Sequence, residues 1–109
     1  FTVNIPVGKM NPKIFAICGS ESGRNIDKVK EAELTLIDSE KISVPAIKEL
    51  PITLECKVIY RQKQNLEGIP TDILEKCYPQ DIDGFAVGAN RDVHIMYYGE
   101  IVNAYIIEE

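Results

Sequence analysis

The feature that most constrains this chain is the run 52–61, Ile-Thr-Leu-Glu-Cys-Lys-Val-Ile-Tyr-Arg, which alternates in polarity almost without a break. Successive side chains of a strand point to opposite faces. Ile52, Leu54, Cys56, Val58 and Tyr60 therefore share one face, and Thr53, Glu55, Lys57 and Arg61 share the other. The pattern predicts a long strand with its apolar side on a core and its charged side in water. Ile59 interrupts the polar side, so part of that side is expected to be covered too. A second stretch, 92–107, is strand-like on both faces and holds Gly99 in its middle. Glycine inside such a run marks a bulge or a sharp bend. A long bent strand with two apolar faces is what a small barrel uses to turn a corner.

The other segments are short. Phe1-Thr-Val-Asn-Ile-Pro6 alternates and ends in proline, the pattern of a strand at its exit. It has no lead-in, which suits a chain cut from something longer. Asn11-Pro12 offers a cap and a first-turn proline to a helix over 12–18, with Gly19 as its stop. The segment 20–25 is a polar loop, and Ser22 or Asn25 can cap a second helix over 25–32 in which Ile26, Val29 and Ala32 recur at helical spacing. Residues 34–37 read as a strand, 38–41 as a turn and 44–47 as a kinked apolar segment. Thr71 caps a short helix near 72–77, ended by Pro79, and Asp83-Gly84 and 88–90 carry turn signals. The class is a β-rich α+β fold, a single domain over 1–109, with a small barrel as its architecture. No internal repeat, low-complexity stretch or linker is present.

Bulk properties narrow the function. A chain of 109 residues makes one domain, which buries roughly 60–70% of the surface its unfolded form exposes. The formal net charge of −5 argues against nucleic acid as a partner, because phosphate backbones are held by clustered Lys and Arg. No apolar run approaches the ~20 residues needed to span a bilayer, and a start that opens directly into strand-like sequence is not expected to be a signal peptide. Cys18, Cys56 and Cys77 form no CxxC pair and are odd in number, which suits a reducing cytoplasm better than a disulfide framework. Cys56, on the inward face of its strand, is expected to be an inert core thiol. One histidine and three scattered cysteines fall short of a four-ligand metal site.

No standard catalytic constellation is present. The phosphate loop GxxxxGK[ST] and the dinucleotide fingerprint GxGxxG are both absent. His94, the one histidine, lies in a strand, which leaves little room for a Ser/His/Asp triad. Such a chain can take its chemistry from a cofactor. The most suggestive local feature is the loop 19–25. There Ser20, Ser22, Arg24 and backbone N–H groups near a helix start are of the right type to meet a phosphate. The same residues would equally serve as a capped loop between helices.

Five segments, in order, carry a family resemblance. Phe1-Thr-Val-Asn-Ile-Pro6 resembles a "VNIP" strand, Ser22-Gly-Arg-Asn-Ile-Asp-Lys28 an "SGRDxDK" loop and helix, and Ala32-Glu-Leu-Thr-Leu36 an "LT" strand. Pro51-Ile-Thr-Leu-Glu-Cys56 is similar to "PxxLEC". Asp92-Val-His94 through Gly99-Glu-Ile-Val102 is similar to a closing "DHxxxxGEVV" strand. Together they resemble the flavin reductase family, including its flavoredoxin-like members. Asn25 stands where the family usually has Asp, and the family's opening strands have no counterpart ahead of Phe1.

The resemblance implies an FMN-binding split β-barrel with short helices, incomplete at the N-terminus, and usually a homodimer with flavin near the subunit interface. It implies hydride or electron transfer between nicotinamide, flavin and an acceptor, as in an NAD(P)H-dependent flavin reductase or a flavoredoxin-like protein. Carried over by position, Ser20, Ser22, Arg24, Asn25 and Lys28 are expected at the FMN phosphate or ribityl chain, Asn4 at the flavin, and His94 near the nicotinamide. The alternatives are a split-barrel module that holds FMN without turnover or has only a structural role, and a small barrel without flavin that binds protein partners.

Overall fold

In a computed structural model of the chain, which describes residues 1–82 and 93–108, the alternating run forms a 12-residue strand, β4 (Ile52–Lys63). It is flanked by β1 (Thr2–Ile5) and β5 (Ile95–Ile106) in a three-stranded sheet of order β1-β4-β5. β1 runs antiparallel to β4, with Thr2 opposite Glu55 and Ile5 opposite Ile52. Phe1 extends this ladder: Cys56 N–H donates to Phe1 O at 2.8 Å, and the Phe1 amino group donates to Cys56 O at 2.9 Å. β4 and β5 are antiparallel as well, since Gln64 N–H donates to His94 O and Ile107 N–H to Pro51 O. The same number of residues separates the two bonds on either strand, so between them the pair carries no net insertion. Gly99 also stands where a side chain has no room. A Cβ there would lie 2.3 Å from Phe1 Cζ and 3.2 Å from Cys56 Cβ.

A separate two-stranded sheet pairs β2 (Leu36–Ile37) with β3 (Ala46–Ile47). The helices are α1 (Pro12–Ser20), α2 (Lys28–Glu31) and α3 (Thr71–Cys77), with a 3₁₀ turn at Leu66–Gly68. The expected class, mixed α+β with short helices, is the one observed. Several local expectations change. The kinked segment 44–47 supplies β3, because Asn4 Oδ1 on β1 accepts Ile47 N–H at 3.1 Å and ties the segment down. Helix α1 is capped by Asn11 as expected but runs through Gly19 to Ser20. α2 is capped by Asp27, whose carboxylate accepts the N–H groups of Val29 and Lys30, and not by Ser22 or Asn25. Thr71 is the first residue of α3 and makes no cap; Pro70 precedes it, with no side-chain hydrogen bond. The turn signals at Asp83-Gly84 and 88–90, and Asp92 at the start of the closing run, lie outside the described residues.

The chain divides into two compact units, one of Phe1–Val58 with Gly99–Glu109 and one of Ile59–Tyr98. The first holds the core: Ile14, Ala32, Ala46, Leu50 and Cys56 are buried. The main correction to the sequence reading lies here. Thr53 and Glu55, assigned to the solvent face of β4, are both 0% exposed. The turn between β2 and β3 covers that face. Glu55 accepts Glu40 N–H at 2.9 Å and Lys41 N–H at 2.6 Å, and Asn103 Nδ2 at 3.5 Å. A buried carboxylate persists only with such partners. Burial pushes the Glu55 carboxyl up, but the Glu40 N–H, the nearby Tyr105 hydroxyl, the Lys41 N–H and the Asn103 amide outweigh it and hold it below its ordinary value. The buried Tyr105 hydroxyl sits close enough to Glu55 to feel its charge while falling outside good hydrogen-bond geometry. Its own burial, then Glu55, raises the phenol.

The second unit contains no buried residue among those described. Its half of β4 and β5 is rich in apolar side chains, with Ile59, Tyr60, Ile95, Met96, Tyr97 and Tyr98 all exposed. Tyr60 and Tyr98 meet across the ribbon with ring centroids 5.3 Å apart. Among the described residues no helix is long and apolar enough to cross a membrane, and no cluster of His, Cys, Asp and Glu is placed to hold a metal. The three cysteines are free: Cys56 is buried, Cys18 partly so, and Cys77 is exposed.

Candidate functional site

The loop singled out in the sequence joins α1 to α2. Ser22 organises it as a turn: its hydroxyl accepts Arg24 N–H at 3.2 Å, and its carbonyl accepts Asn25 N–H at 3.0 Å and Ile26 N–H at 3.2 Å. This is a serine hydroxyl acting in place of a backbone acceptor. The Ser20 hydroxyl donates back to Ala16 O on α1. Lys28 Nζ donates to Cys18 O at 2.8 Å, which ties α2 to the end of α1. Residues 23–29 then line a shallow open depression on the first unit.

This geometry revises how the loop can meet an anion. The Val29 and Lys30 N–H groups at the start of α2 are satisfied by Asp27, so they are not free donors for a phosphate. The loop's side chains carry the charge that suits an anion. Arg24 supplies a guanidinium with fork geometry, and Lys28 keeps two N–H donors beyond the one given to Cys18. Ser22 opens the turn and Ser20 ends the helix before it. The donor set is cationic and polar, as a phosphate requires.

Asn4 is placed on β1 in the same unit with both ends of its amide engaged. Nδ2 donates to Thr2 Oγ1 at 3.0 Å and Oδ1 accepts Ile47 N–H. Its visible work is to bind β1 to β3. His94 belongs to the second unit, where its exposed ring stands edge-on to Tyr78 at a centroid distance of 5.6 Å. Its Nδ1 lies 3.3 Å from Tyr78 Oη. It lines an open groove of about 280 Å³ with Gln62, Lys63, Gln64, Asn65, Ile95 and Met96. The structure thus brings Ser20, Ser22, Arg24, Asn25 and Lys28 together in one loop, and places Asn4 and His94 elsewhere.

The order strand, capped helix pair, long central strand and closing strand now stands beside the motifs that fill it. The family of the flavin reductase like domain matches residues 1–109. The chain belongs to that family. An uncharacterized protein of Archaeoglobus fulgidus is 36% identical over 59 residues, which is 54% of this chain and 33% of the relative. The 2-nitrobenzoate 2-nitroreductase of Pseudomonas fluorescens has a similar fold, with a TM-score of 0.58 at 24% identity, over 97% of this chain and 39% of that one. Nitrilotriacetate monooxygenase component B of Bacillus cereus gives a TM-score of 0.61 at 21% identity, over 98% of this chain and 42% of that one. The chain spans about two-fifths of the length of these two structures. Membership makes the function flavin-related, and flavin is the cofactor class of the family.

Sequence reasoning missed three contributors. Asp27 sits inside the quoted loop motif, and its position one residue before Lys28 is an N-cap signal. Tyr78 and Gln64 gave no signal, because both meet His94 from positions distant in sequence, Gln64 through strand pairing and Tyr78 from the end of α3.

Proposed function

We propose that the protein is an FMN-binding oxidoreductase of the split-barrel kind, working as an NAD(P)H-dependent flavin reductase or as a flavoredoxin-like electron carrier. The observation that carries this reading is the Ser20–Lys28 loop. It sets Arg24 and Lys28 beside a serine-stabilised turn in a chain whose family is flavin-related. FMN, when bound, supplies the hydride or electron transfer. Arg24 grips the phosphate through paired N–H bonds, while Lys28 neutralises charge and holds the loop against α1. Ser20, Ser22 and Asn25 offer polar contacts along the phosphate and ribityl chain. Asn4, which ties β1 to β3, faces the flavin, and His94 contacts the nicotinamide of the reductant.

The protein works as a homodimer in the cytoplasm. An apolar ribbon exposed on both faces supports association, since large exposed apolar patches mark interaction surfaces. Three free thiols suit a reducing compartment. The test is to extract the purified protein, identify any flavin by mass and spectrum, and follow its reduction by NADH and NADPH. FMN released in near-equal amount to the chain, and bleached by a nicotinamide, is the expected result. FMN bound without bleaching would leave a non-catalytic flavin module, and failure to bind FMN on titration would refute the reading.

A further inference from the structure

The polar contacts around His94 have a direction. Gln64 and His94 face each other across the ribbon. Gln64 N–H donates to His94 O at 2.9 Å, and His94 N–H donates to Gln64 Oε1 at 3.2 Å. With Oε1 committed as an acceptor, the Gln64 amide is fixed in orientation. Its Nε2 lies 3.5 Å from Tyr78 Oη. An amide nitrogen only donates, so the Tyr78 oxygen receives this bond and has its own O–H left to give. The acceptor in reach is His94 Nδ1, at 3.3 Å. A neutral imidazole that accepts at Nδ1 carries its proton on Nε2.

We infer that Gln64 and Tyr78 are positioning residues that hold neutral His94 as its Nε2–H tautomer, so that the ring offers a hydrogen-bond donor to an acceptor oxygen of a ligand. Among the described residues Nε2 has no hydrogen-bond partner, and the ring is exposed on the groove wall. A carboxamide or carboxylate oxygen suits that donor; a group whose proton must be removed does not. This deepens the proposed role of His94 and rests on it for the identity of the ligand, but the tautomer itself depends on neither flavin nor nicotinamide.

The chain has a single histidine, so one imidazole gives one unambiguous signal. The experiment is a long-range ¹H–¹⁵N correlation spectrum of ¹⁵N-histidine-labelled protein, at a pH about two units above the ordinary histidine range of ~6.5. The expected wild-type pattern is a protonated Nε2 with Nδ1 as the pyridine-type nitrogen. Gln64→Glu keeps the size and the bond from His94 N–H but turns the donor facing Tyr78 into an acceptor. Tyr78 then gives its O–H to the carboxylate and accepts from His94, and the major tautomer inverts to Nδ1–H. Adding Tyr78→Phe to Gln64→Glu removes the relay and abolishes the inversion. A wild-type Nδ1–H tautomer, or a Gln64→Glu spectrum with the wild-type tautomer, would overturn the inference. Neither result bears on FMN binding, so failure here and failure of the flavin reading remain distinguishable.

Discussion

The two halves of β4 depart from the ordinary burial rule in opposite directions. In the first half, Thr53 and Glu55 are polar and fully buried. In the second, Ile59 is apolar and 62% exposed, with Tyr60 beside it. Alternation along the sequence says which side chains share a face; what covers that face is decided elsewhere. The turn between β2 and β3 brings two backbone N–H groups onto Glu55, which makes a charged residue acceptable in the interior. No described residue of the second unit is buried, and a two-stranded ribbon is marginal without something packed on it.

The largest effect that would test this contrast comes from Glu55. Glu55→Ala strands the N–H groups of Glu40 and Lys41 and leaves the Asn103 amide only its bond to Glu40, and unsatisfied buried groups are among the most damaging defects. The variant is expected to be largely unfolded at room temperature by circular dichroism, whereas Lys57→Ala on the exposed part of the strand stays folded. The same carboxylate gives an acid dependence. Its pKa is lower folded than unfolded, so its stabilisation is complete above the unfolded value near 4.5 and is lost as pH falls through the depressed folded value. Urea midpoints for wild type should fall over that acid range, and Glu55→Gln should be less stable at neutral pH with a flatter acid limb. Parallel curves would contradict the role given to Glu55.

The exposed half is tested by Ile59→Lys. If a second copy covers the ribbon, a charge placed in that contact weakens the dimer by on the order of ten- to a hundredfold. Analytical ultracentrifugation should then show dimer for wild type and monomer for the variant. Equal association, or a wild-type monomer well above micromolar concentration, would mean that something else covers the apolar side chains.

Gly99→Ala is expected to cost about 1–2 kcal/mol, the lower part of the range for overpacking. The new methyl meets the Phe1 ring, which can swing aside, and Cys56 Cβ, which cannot. The smallest effect belongs to Glu33. It sits at φ 55° just past α2, where Leu34 N–H reaches back to Val29 O. Glycine suits that left-handed position better. Glu33→Gly should therefore gain about 0.5 kcal/mol, since its exposed 3.8 Å pair with Lys13 contributes little. A loss of stability there would assign the ion pair more weight than exposed pairs usually carry.

Much of the fold was legible because it rests on local chemistry. Alternation marked β4, Asn11-Pro12 marked α1, and the two apolar faces of the closing run marked β5. The burial of Cys56 followed from its place in the alternation. What escaped depends on partners distant in sequence. β3 exists because Asn4 reaches Ile47, and the Glu55 face is closed by residues 40 and 41. The site divides in the same way. The loop could be read as a turn with cations, but the Val29 and Lys30 amides at the helix start are taken by Asp27, a detail of capping that Ser22 and Asn25 also fitted on paper.

The central claim is that the Ser20–Lys28 loop holds the FMN phosphate through Arg24, while His94 serves the reductant. Titrating FMN into wild type, Arg24→Ala and His94→Ala, followed by flavin fluorescence, tests it most directly. Loss of a charge-assisted hydrogen bond is worth roughly 1.5–3 kcal/mol, so Arg24→Ala should bind FMN about ten- to a hundredfold more weakly. His94→Ala should bind it as wild type does and be reduced more slowly by nicotinamide. Equal FMN affinity for wild type and Arg24→Ala would contradict the account and remove the loop from the site.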